Sequence, residues 1–283
     1  PLRQTFLLIL FNSVFFCITF AQNHSTFFIP HSSFLTSRSS FSNSRFENSS
    51  TYLHSYFSHF KSGIEHSFAS NDAIDLELKG GFIILASSVL DNSAKKFFPD
   101  KNFLPSSYSS FAYEFGGGPK SYITVLGTLG GISLHSFLIN DSKEKYFSKA
   151  ELLLETVGTT SLITQILKHA IPRTRPNNSD KKSFPSGHTS FSFSVATSLY
   201  EIYGWEIGVP AFAFASSVGV QRMQVKAHHL SDVLSGALLG ILVWKGFGAM
   251  HREEERISTS SIKIFPTMFY TDKNLSYGIT LSL

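Results

Sequence analysis

Apolar residues are concentrated in six stretches of the chain, each with the length and spacing of a helix. In one of them, Leu153, Val157 and Ile163 leave a polar side that includes Glu155 and Thr159, as on an amphipathic helix. Prolines, glycine runs and an Asn-Asp-Ser turn separate the stretches. The six stretches are residues 73–91, 120–139, 148–170, 187–203, 206–223 and 228–249. This pattern predicts an all-α fold, an antiparallel bundle of about six helices.

Both flanks of this helical region have a different pattern. Residues 22–75 are rich in Ser, Phe, His and Asn without sustained periodicity, which predicts a disordered arm. Its histidines are irregularly spaced, so we predict no metal site there; they are His24, His31, His54, His59 and His66. Beyond Met250, two alternating runs surround the polar turn at 272–274 and predict a short β-hairpin.

The first residues have the features of a secretory signal. Arg3 precedes an apolar run that ends at Phe20, and the small residue Ala21 follows. An uncleaved membrane anchor is the alternative interpretation. The predicted organisation is therefore a signal peptide at 1–21, the arm at 22–75, a helical domain at 76–250 and a tail at 251–283. A signal peptide predicts export to the periplasm or cell envelope.

Composition excludes several classes of protein. Charged residues make up 16% of the chain and the net charge is +4, without a dense run of Lys and Arg, so we expect no nucleic-acid partner. The single cysteine, Cys17, excludes a disulfide within the chain and a cysteine-based metal site. The chain is apolar for a soluble protein. We expect it to be membrane-associated, with a fully soluble bundle as the alternative.

Three polar clusters lie between the apolar runs. They are Lys168–Pro176, Phe184–Thr189 and Arg222–Asp232. Each cluster falls where one predicted helix ends or the next begins. If these helices are antiparallel and joined by short turns, all three clusters lie at the same end of the bundle.

The residues in these clusters suit a phosphate group. Lys168 supplies a point charge, and Arg175 and Arg222 supply planar forks for phosphate oxygens. The Ser186 hydroxyl and the Gly187 N–H lie at a predicted helix N-terminus, which favours an anion. Donors around all equatorial oxygens are what phosphoryl transfer requires.

Two histidines and a carboxylate complete the predicted site. His228 and Asp232 are four residues apart, so we expect Asp232 to orient His228 as a nucleophile. His188 is then placed to protonate the leaving alkoxide and afterwards to activate water. Two cations nearby, Arg173 and Lys226, are interpreted as solvated caps at helix ends. His169, His229 and His251 are interpreted as structural or exposed. Lys181 and Lys182 are interpreted as part of a solvated loop, with steering of an anionic substrate toward the site as the alternative.

Lys-x6-Arg-Pro, Pro-Ser-Gly-His and Arg-x5-His-x3-Asp, in this order, resemble the signature of the type 2 phosphatidic acid phosphatase family. Its superfamily also includes class A acid phosphatases and vanadium haloperoxidases. The matching residues are Lys168, Arg175, Pro176, Pro185, Ser186, Gly187, His188, Arg222, His228 and Asp232. The resemblance implies a phosphate-binding first cluster, an acid at His188 and a phosphorylated His228. The family usually has Ser where this chain has Gln221, and we expect altered tuning there without loss of activity.

The resemblance implies a metal-independent phosphatase with no cofactor and no metal at the site. Vanadate is expected as an inhibitor or phosphate mimic. The expected substrates are phosphate monoesters, above all lipid phosphates: phosphatidic acid, an isoprenyl diphosphate or a lipid A phosphate. Two alternatives stay open: a vanadium-dependent haloperoxidase, and a non-catalytic envelope protein that binds phospholipid.

Overall fold

The computed structural model describes residues 49–98, 103–260, 263–271 and 274–282. Within these ranges there are nine helices and one two-stranded sheet, so the predicted all-α bundle is confirmed. The helices are α1 Ser49–Ala69, α2 Asn71–Val89, α3 Asp91–Phe97, α4 Ser106–Phe115, α5 Ser121–Leu138, α6 Lys143–Ala170, α7 Gly187–Tyr203, α8 Trp205–Gln224 and α9 Leu230–Ser260. The strands are β1 Lys263–Thr271 and β2 Asn274–Ser282.

Short polar residues and glycine set the helix ends. The side chain of Ser70 accepts a hydrogen bond from the Ala73 N–H and caps α2, and Ser142 caps α6 in the same way through the Lys145 N–H. Gly204 joins α7 to α8 with φ of +75°, a conformation that glycine adopts without strain. These breaks turn the chain back on itself, so that α6, α7, α8 and α9 form an up-and-down bundle.

Helix α7 is the centre of the bundle. All residues of Thr189–Ser198 are buried, and α7 packs against α6, α8 and α9. The backbones of α7 and α9 approach closely, because a Cβ atom at Gly240 would lie 2.9 Å from the Ser190 carbonyl oxygen. This close packing fixes the two helices whose first turns contain residues of the predicted site.

The prediction of a disordered arm is wrong for the last part of that segment. Residues 49–69 form α1, and α2 begins at Asn71 within the same predicted segment. Phe60, Ile64 and Phe68 recur every fourth residue and pack against a cluster around the buried Phe247 of α9. The apolar face of α1 is narrow and interrupted by Ser and His, so its helix depends on tertiary packing more than on local pattern.

Further differences concern the number and length of the helices. Helices α3 and α4 were not among the predicted six, and α9 continues to Ser260, beyond the predicted boundary at 250. The predicted hairpin is present: β1 pairs antiparallel with β2, from Lys263 opposite Ser282 to Thr271 opposite Asn274. The predicted signal peptide at 1–21 and the arm up to residue 48 lie outside the described residues.

The contact between α1 and α9 yields a first prediction. A Cβ atom at Gly246 would lie 2.5 Å from the carbonyl oxygen of Gly63, so Gly246→Ala forces the two backbones apart. We expect the free energy of unfolding to fall by about 1–3 kcal/mol, measured by urea unfolding followed by circular dichroism. Gly158→Ala in α6 is the matched control, because no atom lies within 4 Å of its added Cβ. The control is expected to raise stability by up to about 1 kcal/mol, and equal effects of the two substitutions would contradict the close packing.

Candidate active site

The three polar clusters meet at one end of the bundle, as predicted. Lys168 lies in the last turn of α6 and donates hydrogen bonds to the carbonyl oxygens of Pro185 at 2.7 Å and Lys182 at 2.9 Å. Arg175 Nη1 lies 3.1 Å from His228 Nε2, which joins the first cluster to the third. The segment between α6 and α7 folds back on itself through backbone hydrogen bonds, and this brings Arg175 over the α8–α9 turn.

His228 is held with one ring nitrogen available for chemistry. Its Nδ1 lies 2.7 Å from the carbonyl oxygen of Ser183, which can only accept a hydrogen bond. Nδ1 therefore has the proton, and Nε2 has a lone pair directed toward Arg175. Burial and the nearby cations Lys168 and Arg175 lower the pKa of His228 well below its usual value. The ring is neutral, as a nucleophile must be.

The predicted direct contact between Asp232 and His228 is wrong. His228 precedes α9, which begins at Leu230, so the four-residue spacing does not put both side chains on one helical face. The fully buried Asp232 carboxylate instead accepts hydrogen bonds from the Ser183 hydroxyl at 2.5 Å and the His229 N–H at 2.9 Å. Asp232 therefore acts on His228 through Ser183, whose carbonyl group fixes the imidazole.

Arg173 is a central structural residue and not the solvated cap that we predicted. One side of its guanidinium contacts Asp232 Oδ1 at 2.5 Å, and the other contacts Asp91 Oδ2 at 2.6 Å. Asp91, at the start of α3, also accepts hydrogen bonds from the N–H and hydroxyl of Ser231. No motif marks Asp91 in the sequence, because its partners are far away along the chain.

His188 and Arg222 share an aromatic wall supplied by α4. The Tyr113 ring stacks on His188 with centroids 5.1 Å apart, and the Arg222 guanidinium lies 5.0 Å from the centroid of the same ring. Gly117 closes this side with φ of +111°, and a Cβ atom there would lie 2.8 Å from His188 Cα. The run Gly116–Gly118 was read in sequence only as a helix break, and Tyr113 was not predicted.

Several buried polar atoms at the site have no hydrogen-bond partner within the described part of the chain. They are His188 Nε2, Arg222 Nε and Arg222 Nη1. Unpaired buried donors are costly, so their presence together indicates a site suited to an anion. Burial and Arg175 also lower the pKa of Lys168, to about 8. Burial lowers the pKa of Arg222 to about 10, with Arg175 adding to the effect. These cations lie in a pocket of excess positive charge.

The remaining predicted residues differ in their contacts. Ser186 is the fully buried N-cap residue of α7, and its hydroxyl lies 2.9 Å from the Thr189 hydroxyl. An added Cβ at Gly187 would lie 3.5 Å from Lys168 Cε, so this glycine leaves space beside the lysine. Gln221 donates a hydrogen bond to the Ser109 hydroxyl of α4 at 3.2 Å. It thereby holds α8 against the helix that supplies the aromatic wall.

The two ion pairs of Arg173 yield a second prediction. Arg173→Gln leaves the buried Asp91 and Asp232 without their shared cation, so we expect the free energy of unfolding to fall by about 2–3 kcal/mol. This is less than the roughly 3–5 kcal/mol expected for breaking a fully buried pair, because about a third of the Arg173 side chain is exposed. The measurement is urea unfolding at neutral pH. Lys181→Gln in the same loop is the control, since Lys181 is exposed; a comparable loss there would refute the assigned role.

Comparisons with known proteins find a family match and several similar proteins. Residues 150–256 match the PAP2 superfamily. Over 80 residues, 27% of this chain, the sequence is 40% identical to a lipid A 1-phosphatase of Porphyromonas gingivalis, of which 18% is covered. Over 118 residues, 34% of this chain, it is 30% identical to phosphatidylglycerophosphatase B of Bacillus subtilis, of which 56% is covered. The alignments thus span little more than half of these relatives at most.

The fold is also similar to a solved structure. The crystal structure of the first transmembrane PAP2 type phosphatidylglycerolphosphate phosphatase from Bacillus subtilis superposes with a TM-score of 0.50. The match covers 65% of this chain and 96% of that one at 22% identity. All the motif residues between Lys168 and Asp232 lie inside residues 150–256, so the family resemblance indicated by the motifs is confirmed: this segment matches the PAP2 superfamily.

Proposed function

We propose that this protein is a metal-independent phosphatase that hydrolyses lipid phosphate monoesters through a phosphohistidine at His228. The observation that carries the proposal is the position of His228 Nε2, which has a lone pair and lies 3.1 Å from Arg175. The cations Lys168, Arg175 and Arg222 can bind the phosphoryl oxygens around that nitrogen. Asp91 and Asp232 are paired with Arg173. Asp180 is paired with the Nε atom of Arg175, whose Nη1 atom faces His228.

The reaction proceeds in two displacements. His228 Nε2 attacks phosphorus, the bond from phosphorus to the ester oxygen breaks, and His188 donates a proton to the departing alkoxide. Water then attacks the phosphohistidine while the neutral His188 takes one of its protons. Cleavage of the phosphorus–nitrogen bond releases inorganic phosphate and restores His228.

The protonation of His188 depends on the substrate. In the pocket without an anion, burial and the cations Arg222, Lys168 and Arg175 lower the pKa of His188 to about 3. The ring is then neutral at physiological pH and cannot act as an acid. A phosphate dianion offsets those charges and raises the pKa of His188 again. His188 then takes up a proton from solvent when substrate binds, and this is the proton needed for the first step.

A lipid is the substrate class that fits the surroundings of the site. A cavity of about 160 Å³ lies behind the Gly116–Gly118 run. It is lined mainly by apolar residues of α5, α7 and α8, among them Phe191, Val195 and Phe214. Phe191 lies one turn from His188 on α7, and we propose that this cavity receives the apolar chain of a substrate whose phosphate binds at the site. The expected substrates are phosphatidic acid, an isoprenyl diphosphate or a lipid A phosphate. The relatives named as lipid A 1-phosphatase and phosphatidylglycerophosphatase B support this class.

The outer surface supports association with a membrane. On α2, Leu78, Phe82, Leu85 and Val89 follow one helical face and are each at least 70% exposed. Helix α5 exposes a similar set, and two segments, Ser121–Leu138 and Leu230–Arg256, are long and apolar enough to cross a bilayer. Soluble proteins rarely expose contiguous apolar patches of this size. We propose a membrane-associated enzyme facing the periplasm or exterior.

Phosphate release from a panel of lipid and water-soluble esters, with EDTA present, tests the function. We expect hydrolysis of lipid phosphates, a loss of about 10²–10⁴-fold for His188→Gln and a loss at least as large for His228→Gln. His169→Gln is the matched control. His169 is exposed and, within the described ranges of the chain, bonds only to the carbonyl oxygen of Gln165 in its own helix. Acid-labile phosphate on the protein after mixing with labelled substrate should be absent in His228→Gln.

Three results would reject the proposal. Binding of lipid phosphate without turnover would establish a non-catalytic envelope protein. Halide oxidation after addition of vanadate and peroxide would establish a haloperoxidase. Release that depends on an added divalent cation would rule out the metal-independent route.

Proton uptake tests the linkage between phosphate and His188. Because anion binding raises the pKa of His188 from about 3, we expect inorganic phosphate to bind with uptake of a proton at pH 6. Calorimetry in buffers of different ionisation enthalpy measures this uptake. Phosphate can exchange its own proton at this pH, so the difference between proteins is the readout. We expect less uptake in His188→Gln than in the unchanged protein and in His228→Gln; uptake that is unchanged by His188→Gln would contradict the assignment.

A further inference from the structure

A second cluster of chemically capable side chains lies away from the phosphate site. His59 of α1, Glu155 of α6 and His251 of α9 are all buried, and their ligand-type atoms lie within 4.8 Å of one another. They come from three helices, and each is about a hundred residues from the next along the chain. Glu155 is 13 residues before Lys168 on the same helix, so the cluster is roughly 20 Å from that lysine along the axis.

Both imidazoles face the same carboxylate oxygen. His59 Nε2 lies 3.3 Å and His251 Nε2 lies 3.1 Å from Glu155 Oε2. Ligand atoms bound tetrahedrally to zinc at about 2.0–2.1 Å are separated by about 3.3 Å. The present spacing therefore suits an ion shared among the three groups with only small side-chain movements.

The other ring nitrogens already have the contacts that metal-binding histidines make. His59 Nδ1 lies 3.0 Å from Glu254 Oε1, and His251 Nδ1 lies 2.9 Å from the Ser148 hydroxyl. A carboxylate or hydroxyl at this position fixes the ring and the tautomer, and leaves Nε2 directed at the metal. The two histidines are thus oriented as a pair toward Glu155.

Glu155 itself has an unused buried atom. Its Oε1 has no hydrogen-bond partner in the described part of the chain, and its side chain is only 2% exposed. A buried carboxylate oxygen without a donor is unfavourable. A cation bound at Glu155 would satisfy this oxygen as well as Oε2, which the two imidazoles alone do not achieve.

From these contacts we propose that His59, Glu155 and His251 form a binding site for a divalent transition metal, with Zn²⁺ as the best match. Two imidazoles and one carboxylate are ligands that zinc accepts, whereas Mg²⁺ and Ca²⁺ prefer oxygen ligands. The ion joins α1 to α6 and α9 and takes no part in phosphate transfer. Its role is to hold α1 on the bundle.

The test uses tag-free, full-length protein in detergent, first stripped with a chelator. After Zn²⁺ is added back and the excess removed, we expect one equivalent of Zn²⁺ by elemental analysis and a higher melting temperature than that of the stripped protein. Titration of the stripped protein with Co²⁺ should give the visible absorption spectrum of tetrahedral Co²⁺. Glu155→Gln and His251→Gln should weaken binding by at least 100-fold. Ser148→Ala, which removes a contact to the ring of His251, should weaken binding by about 10–100-fold.

His66→Gln is the matched control, since His66 lies on α1, is exposed and, among the residues that the structure describes, bonds only to the Ser62 carbonyl oxygen. It should bind Zn²⁺ like the unchanged protein. Circular dichroism establishes that each variant is folded, and the measurements on the unchanged protein do not depend on any variant. Phosphate release by that protein in EDTA is a separate readout, so failure of one proposal is distinguishable from failure of the other.

Two outcomes would overturn the site. The first is that unchanged protein shows no Zn²⁺ and no Co²⁺ spectrum at micromolar metal; the cluster is then an ion pair between histidines and carboxylates. The second is that bound metal survives both Glu155→Gln and His251→Gln, which would place it elsewhere.

Discussion

The buried carboxylate of Asp232 is the group on which the arrangement of the active site depends. It binds the Arg173 guanidinium, the Ser183 hydroxyl and the His229 N–H, and so fastens the α6–α7 segment to the start of α9. Ser183 then uses its carbonyl oxygen to fix the proton of His228 on Nδ1. The Nε2 atom of His228, the proposed nucleophile, is thus positioned by a carboxylate that does not touch the imidazole. A buried carboxylate serves this purpose well, because losing any of its donors is costly.

The lysine and arginine side chains near this carboxylate form two groups with different roles. Arg173 is neutralised by Asp91 and Asp232 and belongs to the framework. Lys168 and Arg222, by contrast, are largely buried without an ion-pair partner in the described residues, and burial lowers the pKa of both. A bound anion would reduce the repulsion between these cations. Fold stability and phosphate affinity are therefore assigned to different arginines.

The sequence was sufficient to predict that the three polar clusters meet at one end of the bundle. It was not sufficient to identify the residues that hold them in place. The six apolar stretches and the motif residues could be recognised because periodicity and spacing are local properties. Asp91, Tyr113 and Arg173 could not, because their roles come from partners on other helices. The four-residue spacing of His228 and Asp232 led to a wrong prediction. Residues four apart share a face only within a helix, and α9 begins at Leu230, between the two. Helix α1 was missed because its narrow apolar face is stabilised only by packing on Phe247.

Helix α9 connects the two ends of the bundle. Its first turn contains Asp232, and His251 lies 19 residues later, about 28 Å along the axis. Between them, Gly240 and Gly246 bring its backbone against α7 and α1. Fixing the far end of α9 helps to hold its first turn in position at the phosphate site. The contacts of His251 with Glu155 and Ser148 provide that fixation. An ion there would extend it to α1, which otherwise packs on α9 through an interrupted apolar stripe.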